Sequence, residues 1–306
     1  VLLGIAAGSW MPALASPLEA ALTPVLALLM CATFLAVPLA RLGPALRDGR
    51  FLGAILTLNF VVVPAVVWLL TRTDHGLLLA GAPVEAGTRV GIVLVLLAPC
   101  VDYVIAFTGL AGGARDRLLA TAPLLLLVQA ALIPLYLPLM VGTESLRLEP
   151  GPFVEALIVL LLIPLILAAV VQATRRRSRL SRGIERAGAV GMVPLMMATL
   201  LTVVGAQSAK IGSDLATVLI AVPTFILFLI VMLPLGVLAG KAFGLDVAGT
   251  RALTMSGATR NSLVVLPLAL ALPEPLNASA LVVVTQTLVE LTGMLVYVRA
   301  VPRLIR

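Results

Sequence analysis

Long apolar runs alternate with short polar clusters along the whole chain. A helix of about 20 apolar residues crosses a roughly 30 Å hydrocarbon core, because each residue rises about 1.5 Å. That window predicts membrane spans over 1–9, 18–40, 51–71, 88–111, 118–141, 152–173, 187–208, 215–240, 249–272 and 278–299. The first run begins at Val1 without a basic leader or a signal-peptide cleavage pattern, so it reads as a first helix trimmed at its start.

The cations fix an orientation. Arg41, Arg47, Arg50, Arg115, Arg117, Arg175, Arg176, Arg177, Arg179, Arg182, Arg186, Lys241, Arg251, Arg299, Arg303 and Arg306 fall in loops after even-numbered spans or in the tail. The opposite loops hold only Arg72, Arg89, Arg147 and Lys210, and Arg260 alone falls inside a span. Lys and Arg accumulate on the cytoplasmic side, so both termini are expected there. A miscounted span would scramble the alternation, which favours ten helices in a single membrane domain, 1–306, of a plasma (inner) membrane protein.

Composition removes the main competitors. With 61% apolar and 11% charged residues, the chain cannot cover itself for water. The net charge of +7 suggests nucleic acid, but only 4% of residues are aromatic and no basic stretch interleaves with them. Cys31 and Cys100 both sit in apolar runs, so neither a disulfide nor a CxxC metal site is supported, and His75 is the only histidine. No HExxH, GxSxG or phosphate-binding glycine loop is present. The expectation is a protein without cofactor, resident metal or catalytic activity.

The two halves carry ordered echoes. Met30-Cys31-Ala32-Thr33 matches Met197-Ala198-Thr199, Val63-Pro64 falls opposite Leu233-Pro234, and Gln129 with Tyr136 falls opposite Glu290 with Tyr297. The offset stays near about 160 to 170 residues. Five helices per repeat is odd, so the second copy enters from the opposite side, as in inverted-repeat transporters whose substrate sits between interrupted helices near the midplane. Candidates for the interruptions are Pro99 in the fourth span and Gly257-Ala258-Thr259-Arg260-Asn261-Ser262 in the ninth. A simple proline kink is the plainer reading of Pro99. Matched polar breaks in both halves favour crossing helices.

Three ionisable side chains lie in the spans: Asp102, Arg260 and Glu290. Each costs from about 3 kcal/mol on insertion scales to 10 or more in simulations, which marks it as a candidate functional residue. Counting along the spans places them in one layer with Cys100 and Asn261. Asp102 and Arg260 read either as a structural ion pair or as part of the transport site. Glu290, with Gln286 in the same helix, has no evident cation and is a candidate for proton exchange, with Asp102 as the second. Cys100, beside a helix break and with Tyr103 nearby, reads as a soft ligand or as a packing residue. Cys31 lacks such surroundings and reads as packing.

Leu97-Ala98-Pro99-Cys100-Val101-Asp102-Tyr103-Val104, then Phe107-Thr108 and Gly112-Gly113-Ala114-Arg115-Asp116-Arg117, resemble the arsenical-resistance permeases. These form the arsenite-efflux branch of the bile acid/sodium symporter superfamily. The resemblance extends to 257–262, to Ala280-Leu281-Val282-Val283-Val284 and to Glu290, and loosely covers the chain. It implies ten helices in two inverted five-helix repeats, with the fourth and ninth interrupted and crossing. It also implies a core of helices within 51–141 and 215–299 and a panel within 1–40 and 152–208. The family's essential cysteine matches Cys100 and its essential glutamate matches Glu290. Arg260 departs from the family's asparagine-rich run in the ninth helix.

The resulting expectation is a secondary transporter that extrudes arsenite, and antimonite as a further substrate, in exchange for protons. Its partners would be arsenite, protons and lipid. Cys100, Tyr103, Asn261 and Glu290 would meet the substrate, while Pro99, Asp102 and Arg260 would shape the crossing. Arg260, a fixed cation, further suggests transport without sodium. The competing reading is a sodium-coupled symporter of organic anions such as bile acids.

Overall fold

A computed structural model of the chain describes residues 15–36, 48–71, 85–101, 103–141, 158, 162–175, 177–211, 215–270, 272, 276 and 278–306. They are helical nearly throughout: α1 (Ala15–Ala36), α2 (Gly49–Thr71), α3 (Ala86–Leu97), α4 (Tyr103–Leu110), α5 (Arg115–Val141), α6 (Ile163–Thr174), α7 (Arg179–Ile211), α8 (Leu215–Ala242), α9 (Val247–Ala258), α10 (Ser262–Leu270) and α11 (Ala278–Leu304). The expected span over 1–9, most of the first half of 152–173, His75 and Asp102 lie outside the described residues.

Among the described residues, α2, α5, the Ala221–Ala242 part of α8 and α11 are long and apolar enough to cross a membrane. Leu69, Leu139, Leu238 and Val296 on these helices are each more than half exposed. Such apolar outer faces suit lipid and not water, and a helix satisfies its backbone polarity internally, as hydrocarbon requires. The fold is all-α and multi-pass, with membrane lipid as its surroundings.

Two of the spans depart from straight helices. Residues 88–111 divide into α3 and α4, and 249–272 into α9 and α10. The sequence reading also placed Arg179, Arg182 and Arg186 in a loop, whereas they lie on the first turns of α7, which starts eight residues before the apolar window at 187. The apolar window measures the hydrophobic part of a helix, and α7 continues beyond it on polar residues.

The chain separates into two compact units, Val1–Leu39 with Glu149–Val218 and Ala40–Leu148 with Leu219–Arg306. In the first, α1 packs along α7 and α6. Gln172 Nε2 of α6 donates to the carbonyls of Phe34 and Leu35 on α1, both at 3.2 Å, and so ties the two helices together.

In the second unit α3 is apolar on every side and buried from Val90 to Leu97, the pattern of a central helix. Gly91 lets it press against α11: a Cβ there would lie 2.8 Å from Ser279 O. α2 contains a π-helical stretch, Leu58–Val62. Pro64 has no N–H to offer the carbonyl of Phe60 four residues earlier, and Tyr136 OH of α5 donates to that oxygen instead at 2.7 Å. The other half has a similar bond, Tyr297 OH of α11 to Leu229 O of α8 at 2.5 Å, near Pro234. At the arginine-rich end, Gly112 adopts φ 64° in the turn between α4 and α5. Arg251 of α9 reaches Ile305 O at 2.8 Å and Gly112 O at 3.4 Å, and so fastens that turn and the C-terminus to α9.

Candidate functional site

Proline sets the first break. A residue before proline is driven out of the helical region, and Ala98 is extended at φ −96°, ψ 105°. Thr259 is extended as well, at φ −89°, ψ 135°. The two extended segments run antiparallel, with Cys100 N donating to Thr259 O at 3.3 Å and Asn261 N to Ala98 O at 2.7 Å. Pro99 and Arg260 are the facing pair between those bonds. Residues in such a pair exchange no hydrogen bonds with each other. The missing N–H of Pro99 therefore costs nothing here, and the N–H of Arg260 points away from the pair. It meets Glu290 Oε2 at 2.7 Å.

Glu290 of α11 is 1% exposed. Besides the Arg260 N–H, it accepts from Tyr103 OH at 2.5 Å and from Gln286 Nε2 one turn earlier. Tyr103 OH also lies 3.0 Å from Arg260 O. Among the described residues no ammonium or guanidinium forms an ion pair with Glu290, and the ion pairs present are those of Arg117 with Asp48 and Asp246 and of Arg175 with Glu185. The carboxylate is thus held by neutral donors that couple α11 to both extended segments.

The Arg260 side chain points elsewhere. It is fully buried, and its guanidinium donates to Leu96 O at 3.3 Å, Asn59 Oδ1 at 2.9 Å, Ser256 O at 2.8 Å and Gly257 O at 2.5 Å. Three of these acceptors are carbonyls in the last turns of α3 and α9, groups that have no intrahelical partner and carry the negative end of the helix dipole. Asn59, on the π-helical stretch of α2, is oriented by donating to Ile55 O at 3.0 Å and Ser256 Oγ at 3.1 Å. The Phe228 ring lies 5.5 Å from Arg260 Cζ, within cation–π range. The proposed ion pair of Arg260 with Asp102 falls outside the described residues, since Asp102 is among those not described.

The other helix ends at the crossing are N-termini. α4 starts at Tyr103 and α10 at Ser262, and Asn261 Oδ1 accepts from Val264 N at 3.2 Å as an N-cap. Ser262 Oγ accepts from Thr287 Oγ1 of α11 at 2.7 Å. Asn261 Nδ2 is buried without a partner among the described residues, as are both amide atoms of Gln129 on α5. Cys100 lies in the extended segment and is fully buried, while Cys31 on α1 is partly exposed.

The structure therefore brings Pro99, Cys100, Tyr103, Arg260, Asn261 and Glu290 to one crossing. The sequence reading missed Asn59 and Ser256, which sit with Arg260. Asn59 had a signal, as a lone amide in the otherwise apolar run 51–71. Leu96, Ser256 and Gly257 contribute main-chain oxygens, which no side-chain pattern reveals. Among the described residues no cluster of His, Cys, Asp and Glu forms a metal-binding group.

Residues 23–213 match the model of the Sodium Bile acid symporter family. A search of the curated proteins finds no match.

Proposed function

The chain belongs to the sodium bile acid symporter family, a family of transporters and not of enzymes, and on that premise we propose that it is a secondary active transporter coupling an organic anion to sodium entry. The observation that carries this reading is the antiparallel crossing at Pro99 and Arg260. There α4 and α10 begin, so the positive ends of two helices meet between segments of open backbone. A carboxylate or sulfonate suits such a place. Asn261 Nδ2, buried and unpartnered among the described residues, offers a donor to it.

The unit containing Ala40–Leu148 and Leu219–Arg306 is the transport core in this reading, and the other unit is the panel. Ten helices in two inverted repeats agree with the paired tyrosine bonds to Phe60 O and Leu229 O. The lysine and arginine distribution supports a cytoplasmic location for both termini, and the plasma (inner) membrane is the location proposed.

A second reading, arsenite efflux in exchange for protons, is favoured by Cys100. Its thiol is carried on the extended segment itself, directly after Pro99 and on the residue whose N–H bonds Thr259 O, and the titratable Glu290 binds Arg260, the residue facing Pro99. One sulfur recognises trivalent arsenic, while three would trap it. The test is ligand stabilisation of the purified protein in detergent, with taurocholate in sodium buffer against arsenite in sodium-free buffer. Taurocholate raising the unfolding midpoint only with sodium supports the organic-anion reading. Stabilisation by arsenite alone overturns it in favour of efflux.

A further inference from the structure

The oxygen cluster around the Arg260 guanidinium has the composition of a cation site. Ser256 O and Gly257 O come from the end of one broken helix, Leu96 O from the end of another, and Asn59 Oδ1 from a π-helical stretch. Carbonyls at the C-terminal ends of discontinuous helices are the groups that coordinate coupling ions in transporters. Here the oxygens converge on a charge that belongs to the chain. The guanidinium is fully buried, and among the described residues the acceptors of its hydrogen bonds are neutral oxygens.

We propose that Arg260 is a tethered cation that permanently occupies a monovalent-cation site at the crossing, so that this cluster binds no dissociable sodium and its removal opens such a site. Burying a guanidinium costs several kcal/mol unless its charge and N–H groups are compensated. Three carbonyls, one amide oxygen and the Phe228 face supply most of that compensation, while Nε is buried without a hydrogen-bond partner among the described residues. Arginine keeps its proton even when buried, so the charge stays through a transport cycle. In the organic-anion reading, on which only this consequence rests, the driving sodium binds elsewhere and the coupled charge is smaller by one than in a carrier whose cluster takes an ion. Asn59 is a positioning residue: its side chain holds one oxygen toward the guanidinium while its amide is fixed by Ser256 and Ile55.

The experiment needs no transported substrate, so its outcome is independent of which solute is carried. The unfolding midpoint of purified full-length protein in detergent is measured in choline chloride, in sodium chloride at equal ionic strength, and in choline chloride with low-millimolar guanidinium. Arg260→Ala and Arg260→Gln are compared with Arg260→Lys and with the unaltered protein. The alanine and glutamine variants should be less stable in choline and recover at least half of the loss with guanidinium or sodium. They should also bind more radioactive sodium than the unaltered protein. Arg260→Lys, which keeps the charge, should need neither ion. Where Arg260→Ala fails to fold, the glutamine and lysine variants decide. Equal midpoints of these two in choline, or no recovery of the glutamine variant by either ion, would overturn the proposal.

Discussion

Replacing Glu290 by glutamine or by alanine separates two roles of this carboxylate. The side chain accepts from three donors: Tyr103 OH on Oε1, and Arg260 N and Gln286 Nε2 on Oε2. In Glu290→Gln the amide oxygen can keep the place of Oε2 and both of its donors. The new NH2 then takes the place of Oε1 and donates to Tyr103 Oη, while the tyrosine proton turns to Arg260 O, already 3.0 Å away. None of the three original donors is stranded, and the main loss is the charge assistance, about 1 kcal/mol. In Glu290→Ala the Arg260 N–H and the Gln286 amide both lose their acceptor in a buried place. At about 1–3 kcal/mol for each stranded group, and with about 1 kcal/mol already lost in glutamine, the alanine variant should be less stable than the glutamine variant by about 1–5 kcal/mol. Detergent-solubilised variants unfolded by heat, followed by circular dichroism at 222 nm, measure the difference. Glutamine should track the unaltered protein and alanine should fall well below it. Equal midpoints for the two variants would refute the assignment of the three donors. Because glutamine removes the titratable site, any pH dependence of transport that passes through Glu290 should also flatten in Glu290→Gln.

Gly91→Ala should destabilise the α3–α11 seam by about 1–3 kcal/mol, as overpacking does, because its Cβ would meet Ser279 O and Val282 Cβ at 2.8 Å. Gly183→Ala, whose Cβ would meet nothing within 4 Å on α7, should instead be neutral or gain up to about 1 kcal/mol, and parallel unfolding curves compare the two. Cys100→Ser and Cys31→Ser should both leave organic-anion transport intact. Loss of an arsenite flux in Cys100→Ser alone would instead place the thiol in the transport path, and membrane expression of each variant is checked by immunoblot.

The long apolar helices and the two helix breaks among the described residues were legible because their causes are local. Apolar length sets a span, and a proline such as Pro99 or a polar run such as 257–262 inside apolar sequence marks the end of a helix. Tyr103, Cys100, Asn261 and Glu290 were legible as polar or reactive groups where hydrocarbon should be. What the sequence did not show is how the breaks meet. The antiparallel pairing of Pro99 with Arg260 is made by backbone bonds of their neighbours, Cys100 to Thr259 and Asn261 to Ala98, and backbone carries no side-chain signature. The same holds for the guanidinium. Its charge suggested an acidic partner such as Asp102, yet the acceptors among the described residues are helix-terminal carbonyls and Asn59. Glu290 likewise lacked a cation in the sequence reading, and the structure supplies it with neutral donors, of which only Gln286, four residues away, was visible from spacing.

The claim on which the rest depends is that the crossing serves a gradient-driven organic-anion carrier. It is tested most directly by flux through the purified protein in sealed liposomes. Radiolabelled taurocholate uptake is followed with an inward sodium gradient, with an inward proton gradient, and with neither, beside arsenite flux under the same three conditions. Taurocholate should accumulate with the sodium gradient alone, and arsenite should not move above the level of empty liposomes. Arsenite movement driven by protons and indifferent to sodium, with taurocholate left outside, would contradict it.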